Sequence, residues 1–366
     1  MTRFKRLGLL LALLTLLAAS CSTGSSDDAS PDDSSDQTTD GATSAGNSGI
    51  PEVIEPLDAR DAVHSALEGK RIAFIPILYD GFKLTEQWGS HMERAFTSLG
   101  AEFNVYDANF DTDLMIRTID DLVSKDEVDV LVLHNPDVGV LSKQIEAAQE
   151  AGVYTVVVNM ISNQSADAFI GADVVSASAA ITERAVADCN ASGRNKVAVI
   201  EGVGPDGFSL QFNAGAQPVL DAAGIEIVST VQSNWDLSTA AELATTILQQ
   251  HGDELCALLL PWDIIAVGAG QAVAAAVADG TIEEGVVGVY NLDSSADWCA
   301  SLRAGEVTAS GSYDVPGIGT GAVLAVQSLL EIGDPPGTRR TVTYVPHVVV
   351  DIDNVDSISS ACYQGS

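Results

Sequence analysis

The sequence predicts an α/β protein with two similar doubly wound parallel-sheet lobes. From residue 71 onward, short apolar runs alternate with amphipathic stretches, which is the pattern of parallel strands joined by helices. This alternation continues through two successive series of comparable size. The length of 366 residues agrees with two domains of roughly 150 residues each.

The first series begins with a buried strand at Arg71. Its helical periodicities stop at Gly100 and Gly152, and glycine is typical just past the end of a helix. Strands are predicted at 71–78, 102–106, 129–134 and 153–159, and helices at 86–99, 115–124 and 142–151.

The second series repeats the alternation after Asp173. Strands are predicted at 196–201, 226–232, 257–260 and 286–290, and helices at 174–191, 212–223, 239–250 and 264–278. A late helix at 319–329 and strands around 342–351 close the chain.

The N-terminal residues have the pattern of a targeting segment. Residues 1–20 combine an Arg/Lys start with an apolar run too short to span a bilayer comfortably, as in a secretory signal peptide. The run ends at Cys21 in a sequence that resembles the lipobox of bacterial lipoproteins, in which the Cys is lipidated. An ordinary secretory signal is the alternative. Residues 21–65 then predict a disordered acidic Ser/Thr/Asp tether, because they hold too few apolar side chains to offset ordering entropy.

Composition excludes several classes of partner. The chain has 17 Lys and Arg against 51 Asp and Glu, a net charge of −34. Such a polyanion is repelled by nucleic acid and by anionic lipid headgroups, so we expect no nucleic-acid partner and membrane contact through the N-terminal lipid only.

Polar residues cluster where the predicted strands end, the edge at which sheets of this kind bind ligands. The most specific motifs are Val-Leu-Val-Leu-His-Asn-Pro at 130–136, Ser-Asn-Trp-Asp at 233–236, Pro-Trp-Asp at 261–263 and Gly-Val-Val-Gly at 285–288. In order and spacing these motifs resemble the type I periplasmic-binding-protein family, in particular the ribose- and galactose-type sugar-binding components of bacterial ABC importers.

The resemblance implies two lobes joined by a three-strand hinge that close over one ligand. It places residues 66–171 and 314–345 in the N-terminal lobe, and residues 172–313 and 346–366 in the C-terminal lobe. The expected ligand-binding residues are Asp80, Phe82, Asn135, Asn159, Trp235, Trp262, Asp263, Asn291 and Tyr313. Asp236 is expected to cap the helix that follows it.

The chain also departs from the sugar binders of that family. They carry Asp-Arg where this chain has Asn159-Met160, and another Arg near residues 210–215, where this chain has none. The predicted pocket is therefore less charged and more aromatic, which also admits a deoxy sugar, a sugar alcohol or a nucleoside.

The predicted function is that of a lipid-anchored extracytoplasmic binding protein, a monomer that delivers a small carbohydrate-like ligand to an ABC permease. The alternatives are a receptor of the same fold that reports occupancy to a membrane signalling protein, or an enzyme on this scaffold. Motifs of hydrolases and metalloenzymes are missing from the sequence, so we predict no enzymatic activity, cofactor or metal site. The glycines at 202–207 match a dinucleotide fingerprint, but Pro205 interrupts the turn.

Cysteines indicate an exported protein but leave the pairing open. Besides Cys21, the chain has Cys189, Cys256, Cys299 and Cys362, all in the predicted second lobe. One or two structural disulfides are possible there, and free buried thiols are the alternative.

Overall fold

The computed structural model describes residues 56–204, 206–252 and 254–363. The helices are α1 (Pro56–Leu67), α2 (Lys83–Ser98), α3 (Thr112–Ser124), α4 (Ser142–Glu150), α5 (Val174–Ser192), α6 (Gly207–Ala223), α7 (Leu237–His251), α8 (Asp263–Ala278), α9 (Ala296–Arg303) and α10 (Val315–Ile332). The strands are β1 (Arg71–Ile75), β2 (Glu102–Val105), β3 (Val130–Leu133), β4 (Tyr154–Val158), β5 (Ala168–Ala172), β6 (Lys196–Glu201), β7 (Glu226–Gln232), β8 (Leu255–Leu260), β9 (Gly288–Leu292), β10 (Ala309–Tyr313), β11 (Thr341–Val345) and β12 (His347–Asp351).

These strands form two sheets, which confirms the predicted fold class. The first sheet has the order β11-β5-β4-β3-β1-β2, and the second has the order β12-β10-β9-β8-β6-β7. All pairings are parallel except that of β12 with β10. The chain passes between the sheets near residues 173, 314 and 346, and the Asp314 N–H donates to the carbonyl of Pro346.

Helices cover both faces of the first sheet. Along β1, Ile72 and Phe74 belong to the core on one face, whereas Ala73 and Ile75 belong to the core on the other. Strands buried on both faces read as continuous apolar runs, which explains why they were visible in the sequence.

Helix α10 belongs to the core of the first sheet. By length and composition alone it could cross a membrane. Its first carbonyl, on Val315, accepts the indole N–H of Trp88 at 2.9 Å, and its buried residues, among them Ile318 and Val326, join the same core as Phe74. Its apolar character is therefore explained by packing within the protein.

The structure describes only the last part of the segments that precede the first strand. The signal peptide, Cys21 and most of the predicted tether lie outside the described residues. Residues 56–65, which we assigned to the tether, instead form most of α1, whose only buried residue is Leu67. The amphipathic contrast of this helix is weak, so its sequence resembles that of a polar linker.

The second lobe contains two disulfide bonds. Cys189 at the end of α5 pairs with Cys256 on β8, and Cys299 on α9 pairs with Cys362 in the C-terminal segment. This pairing is one of the three that the sequence allowed. The second bond holds the C-terminal segment against the loop that follows β9, where Tyr363 forms a bridge with Ser295.

Candidate functional site

A cavity of about 630 Å³ lies where the carboxyl ends of the two sheets meet. Its walls come from the segments that follow β1, β2, β3 and β4 in the first sheet and β6, β7 and β8 in the second, and from Tyr313 at the end of β10. The polar and aromatic side chains of its lining include Phe82, Asp111, His134, Asp137, Asn159, Asp206, Phe208, Asn234, Trp235, Asp236, Trp262 and Tyr313. Open α/β sheets bind ligands at this edge, so the fold itself places the cavity.

Aromatic rings from both lobes meet in the cavity wall. The rings of Phe82 and Trp262 contact edge to face with centroids 5.9 Å apart, and Trp235 contacts Trp262 in the same manner at 5.9 Å. Phe208 and Tyr313 form a second, tilted pair at 6.2 Å. Because Phe82 follows β1 and Trp262 follows β8, the first group joins the two sheets directly.

Trp235 is held by an unusual backbone. Both Asn234 and Trp235 have positive φ, 54° and 61°, and for a bulky residue such as Trp this left-handed conformation is a true outlier. The indole packs on the bare backbone of Gly202, where a Cβ atom would lie 2.0 Å from its Cε2 atom. Backbone strain of this kind costs about 1–3 kcal/mol and is typical of functional sites.

Two buried polar side chains line the cavity with unused hydrogen-bonding capacity. Asn159, at φ 62°, follows β4, and its Oδ1 atom has no hydrogen-bond partner within the described part of the chain. His134 follows β3, is 2% exposed, and likewise lacks a partner there at either ring nitrogen. Burial lowers the pKa of His134 from 6.5 to about 3, so the imidazole is neutral.

Two fully buried carboxylates, Asp263 and Asp293, lie beside the cavity wall. Asp263 accepts the N–H of Ser295 at 2.7 Å, and Asp293 accepts the adjoining N–H of Ser294 at 2.7 Å. Asp293 also accepts the hydroxyl of Tyr363 at 3.0 Å. Burial raises the pKa of Asp263 to about 6, and burial together with the charge of Asp263 raises the pKa of Asp293 well above its usual range.

Three carboxylates of the lining cap helices. Asp111, Asp206 and Asp236 each accept backbone N–H groups in the first turn, of α3, α6 and α7 respectively. Capping by Asp236 was predicted and is confirmed by the bond from the Thr239 N–H at 2.7 Å, which lowers the pKa of Asp236. Burial raises the pKa of Asp206, and its three backbone bonds act in the opposite direction.

The structure brings most of the residues suggested by the sequence to this cavity. Phe82, Asn159, Trp235, Trp262 and Tyr313 line it directly. The remaining four lie outside the lining.

Asp80 is exposed at a turn, whereas Asn135, Asp263 and Asn291 are fully buried. The amide of Asn291 is used within the protein, because it donates to the carbonyls of Leu292 and Asp293 and accepts the indole N–H of Trp298 at 2.7 Å. Asn135 donates to the carbonyl of Ile161 at 3.5 Å, and its Oδ1 atom has no partner among the described residues.

The lining residues that sequence reasoning did not select as ligand-binding include His134, Asp206 and Phe208. His134 directly precedes Asn135 at the end of β3, so it belongs to the same polar strand end from which the sequence analysis selected Asn135. Asp206 and Phe208 lie at the start of α6, beside the glycine-rich loop at 202–207, which the sequence indicates as a flexible loop near the ligand rather than a nucleotide site. Within the residues that the structure describes, no cluster of three or more metal-binding side chains occurs.

Residues 72–335 match the family model described as periplasmic binding protein domain. The chain is also 31% identical, over 191 residues, to the D-ribose/D-allose-binding protein of Pseudomonas aeruginosa. That alignment covers 50% of this chain and 58% of the relative, which is less than two thirds of the relative's length.

Solved structures show the same fold at low identity. A carbohydrate transporter solute-binding protein from Agrobacterium radiobacter, in complex with D-arabinose, superimposes with a TM-score of 0.70 at 15% identity, over 81% of this chain and 99% of that one. A myo-inositol-binding protein from Caulobacter, bound to myo-inositol, gives a TM-score of 0.69 at 20% identity, over 79% and 95% of the two chains. All three relatives are binding proteins by name.

Proposed function

Because the chain belongs to the periplasmic binding protein domain family, we propose that it is an extracytoplasmic solute-binding lipoprotein that delivers a small polyhydroxylated ligand to an ABC permease. The observation that carries the proposal is the cavity formed by strand ends of both sheets. A ligand in that position contacts both lobes at once. The relatives that bind D-ribose, D-arabinose and myo-inositol support a sugar or a sugar alcohol as the ligand class.

The chemistry of the cavity suits such a ligand. Aromatic rings pack against the C–H faces of a sugar or cyclitol ring, while Asn159 and His134 offer buried hydrogen-bonding atoms that have no partner within the described residues. Leaving a buried polar atom unpaired costs about 1–3 kcal/mol, so a ligand that satisfies these atoms recovers that free energy. The orientation of the ligand would be set by these few polar groups.

Capture would proceed by closure of the two lobes. The chain passes between the lobes near residues 173, 314 and 346, and such short connections allow a hinge rotation. A ligand that contacts both lobes binds the closed form more tightly than the open form, and it therefore shifts the population toward closure.

Ligand screening by thermal shift, followed by calorimetry, tests the binding function. A ligand at about 100 times its Kd should stabilise the chain by about 2.7 kcal/mol. We expect Trp235→Ala and Asn159→Ala each to weaken binding at least about tenfold, which corresponds to about 1.4 kcal/mol. Tyr344→Ala is the matched control, because this exposed aromatic residue on β11 lies outside the cavity. Unchanged affinity in both cavity variants would refute the site.

Uptake measurements in cells distinguish delivery to a permease from sensing. Deletion of the protein should abolish high-affinity uptake of the identified ligand, whereas a receptor that only reports occupancy would leave uptake intact. Cys21→Ala should release the protein from the membrane fraction if Cys21 carries the lipid.

A further inference from the structure

The charged side chains that line the cavity are all acidic. They are Asp111, Asp137, Asp206 and Asp236, and no Lys or Arg side chain of the described residues lines the cavity. The only cation within 4.0 Å of any of them, in that same part of the chain, is the exposed Arg117, at 4.0 Å from Asp111.

Two further acidic side chains adjoin the wall without a counter-ion. Asp263 and Asp293 are fully buried, and neither forms a salt bridge among the described residues. Asp263 directly follows Trp262 of the cavity wall, and its Oδ1 atom has no hydrogen-bond partner within the described chain. Burial without a cation raises the pKa of both groups, and a positively charged ligand beside the wall would favour their ionised forms.

Helix ends offset only part of this charge. Three of the lining carboxylates cap helices, and a helix N-terminus carries about half a unit of positive charge. Each cap carboxylate carries a full negative charge, so the capped ends remain net negative. Asp137 accepts the N–H groups of Gly139 and Val140, which lie outside any helix. The local potential therefore favours a cation over a neutral or an anionic ligand.

The wall also contains several aromatic residues, whose ring faces attract cations. Trp235, Trp262 and Phe82 lie together at centroid distances of 5.9 Å, and Phe208 and Tyr313 lie nearby in the lining. An ammonium group over an aromatic face gains about 0.5–2 kcal/mol, and Trp gives the largest gain.

The cavity also contains buried hydrogen-bond acceptors that have no partner among the described residues. The unpartnered Oδ1 atom of Asn159 is a buried acceptor, and the neutral ring of His134 offers one acceptor nitrogen and one N–H donor. Asn159 is 5% exposed and lines the cavity itself. Acceptors of this kind are matched by a group rich in donors, and a protonated amine carries donors alone.

We propose that the ligand is an amine-bearing sugar or cyclitol, whose ammonium group lies among the cavity's aromatic rings and carboxylates. This inference rests on the proposed function, and it names the ligand class more narrowly.

Calorimetry with matched neutral and amino compounds tests the proposal. The probes are D-galactose with D-galactosamine, D-glucose with D-glucosamine, and myo-inositol with an inosamine, each at low and at high salt. We expect the amino member of at least one pair to bind at least about tenfold more tightly, with an advantage that shrinks as salt increases. Choline, a cation that lacks the polyol ring, completes the panel.

Different binding results in this panel test the amine inference and the proposed function separately. Equal or tighter binding of the neutral members overturns the amine inference while the proposed function stands. Binding of choline alone overturns the polyol ligand class and with it the proposed function. If none of the seven compounds binds, both proposals fail.

An isosteric variant tests whether the lining carboxylates provide the preference. Asp137→Asn should reduce the amino-to-neutral affinity ratio severalfold, because it removes a carboxylate from the cavity wall while keeping the shape of the side chain. Asp297→Asn is the matched control, since Asp297 is an exposed carboxylate outside the cavity lining. An equal change in the affinity of both members of a pair would indicate a merely structural role for Asp137, and would contradict the proposed origin of the preference.

Discussion

Replacement of His134 should remove a large part of the protein's sensitivity to acid. In the folded chain the pKa of His134 is lowered from 6.5 to about 3 by burial, whereas the unfolded chain has the ordinary value. Below pH 6.5 the unfolded state therefore binds a proton that the folded state does not, and stability falls as the pH falls. At about 1.36 kcal/mol per pKa unit, the loss between roughly pH 7.5 and pH 4 is about 3 kcal/mol.

The assay is urea unfolding of the wild type and of His134→Asn across that pH range. The difference in unfolding free energy between the two chains should change by about 3 kcal/mol in favour of the variant at the acidic end. Other titrating groups are common to both chains and cancel in the difference. His251→Asn is the control, because this partly exposed residue at the end of α7 is far less buried. A constant difference between wild type and His134→Asn would refute the reasoning, since it would mean that His134 is protonated without cost in the fold.

Three further predictions concern the site and the second lobe. Gly202→Ala should displace the indole of Trp235 and weaken ligand binding at least about tenfold, with far-UV circular dichroism unchanged; retained affinity would show that the indole does not bind ligand. The variant with Cys299→Ser and Cys362→Ser should lose about 4 kcal/mol of unfolding free energy, as estimated from the separation of 63 residues, and a loss below about 1 kcal/mol would contradict this. The pKa of Asp263 is raised to about 6, so the stability of the wild type falls as the pH rises from about 4 to 6. Over that range the unfolding free energy of Asp263→Asn should increase by about 3 kcal/mol relative to that of the wild type. A difference in unfolding free energy that does not change with pH would contradict the assignment.

The strands of both sheets were readable from the sequence because most of them are buried on two faces. No bounds were predicted for β5 or β10, although both are largely buried. Each is a short run with a glycine inside, Gly171 in β5 and Gly311 in β10, and a glycine weakens the strand signal. Helix α1 was missed because most of its surface is exposed and its apolar periodicity is weak. Its start therefore could not be distinguished from the end of a polar linker.

The site was predictable to the level of segments, and less so to the level of side chains. The rule that ligands bind beyond the carboxyl ends of parallel strands located every segment that carries Phe82, Asn159, Trp235 or Trp262. It could not decide between neighbours such as His134 and Asn135, because successive side chains at a strand end point to opposite sides. His134 lines the cavity, whereas Asn135 is buried outside its lining.

Backbone conformation was a second source of information that the sequence did not contain. Positive φ angles at Asn159, Trp235 and Asp293 turn the chain just where β4, β7 and β9 end. Asn and Asp tolerate this conformation, but nothing in the sequence indicates it at Trp235. The disulfide pairing was likewise beyond sequence reasoning, because it depends on which segments the two sheets bring together.

The four tryptophans of this chain divide into two pairs, and this division allows ligand binding to be followed by intrinsic tryptophan fluorescence. Trp235 and Trp262 line the cavity, whereas Trp88 and Trp298 are almost fully buried in the cores of the two lobes. A ligand that enters the cavity changes the polarity around the first pair, whereas Trp298, which donates to Asn291 outside the lining, serves as an internal reference. Intrinsic tryptophan emission should therefore report lobe closure without an added dye. The single variants Trp235→Phe and Trp262→Phe would show which indole ring produces the change in emission.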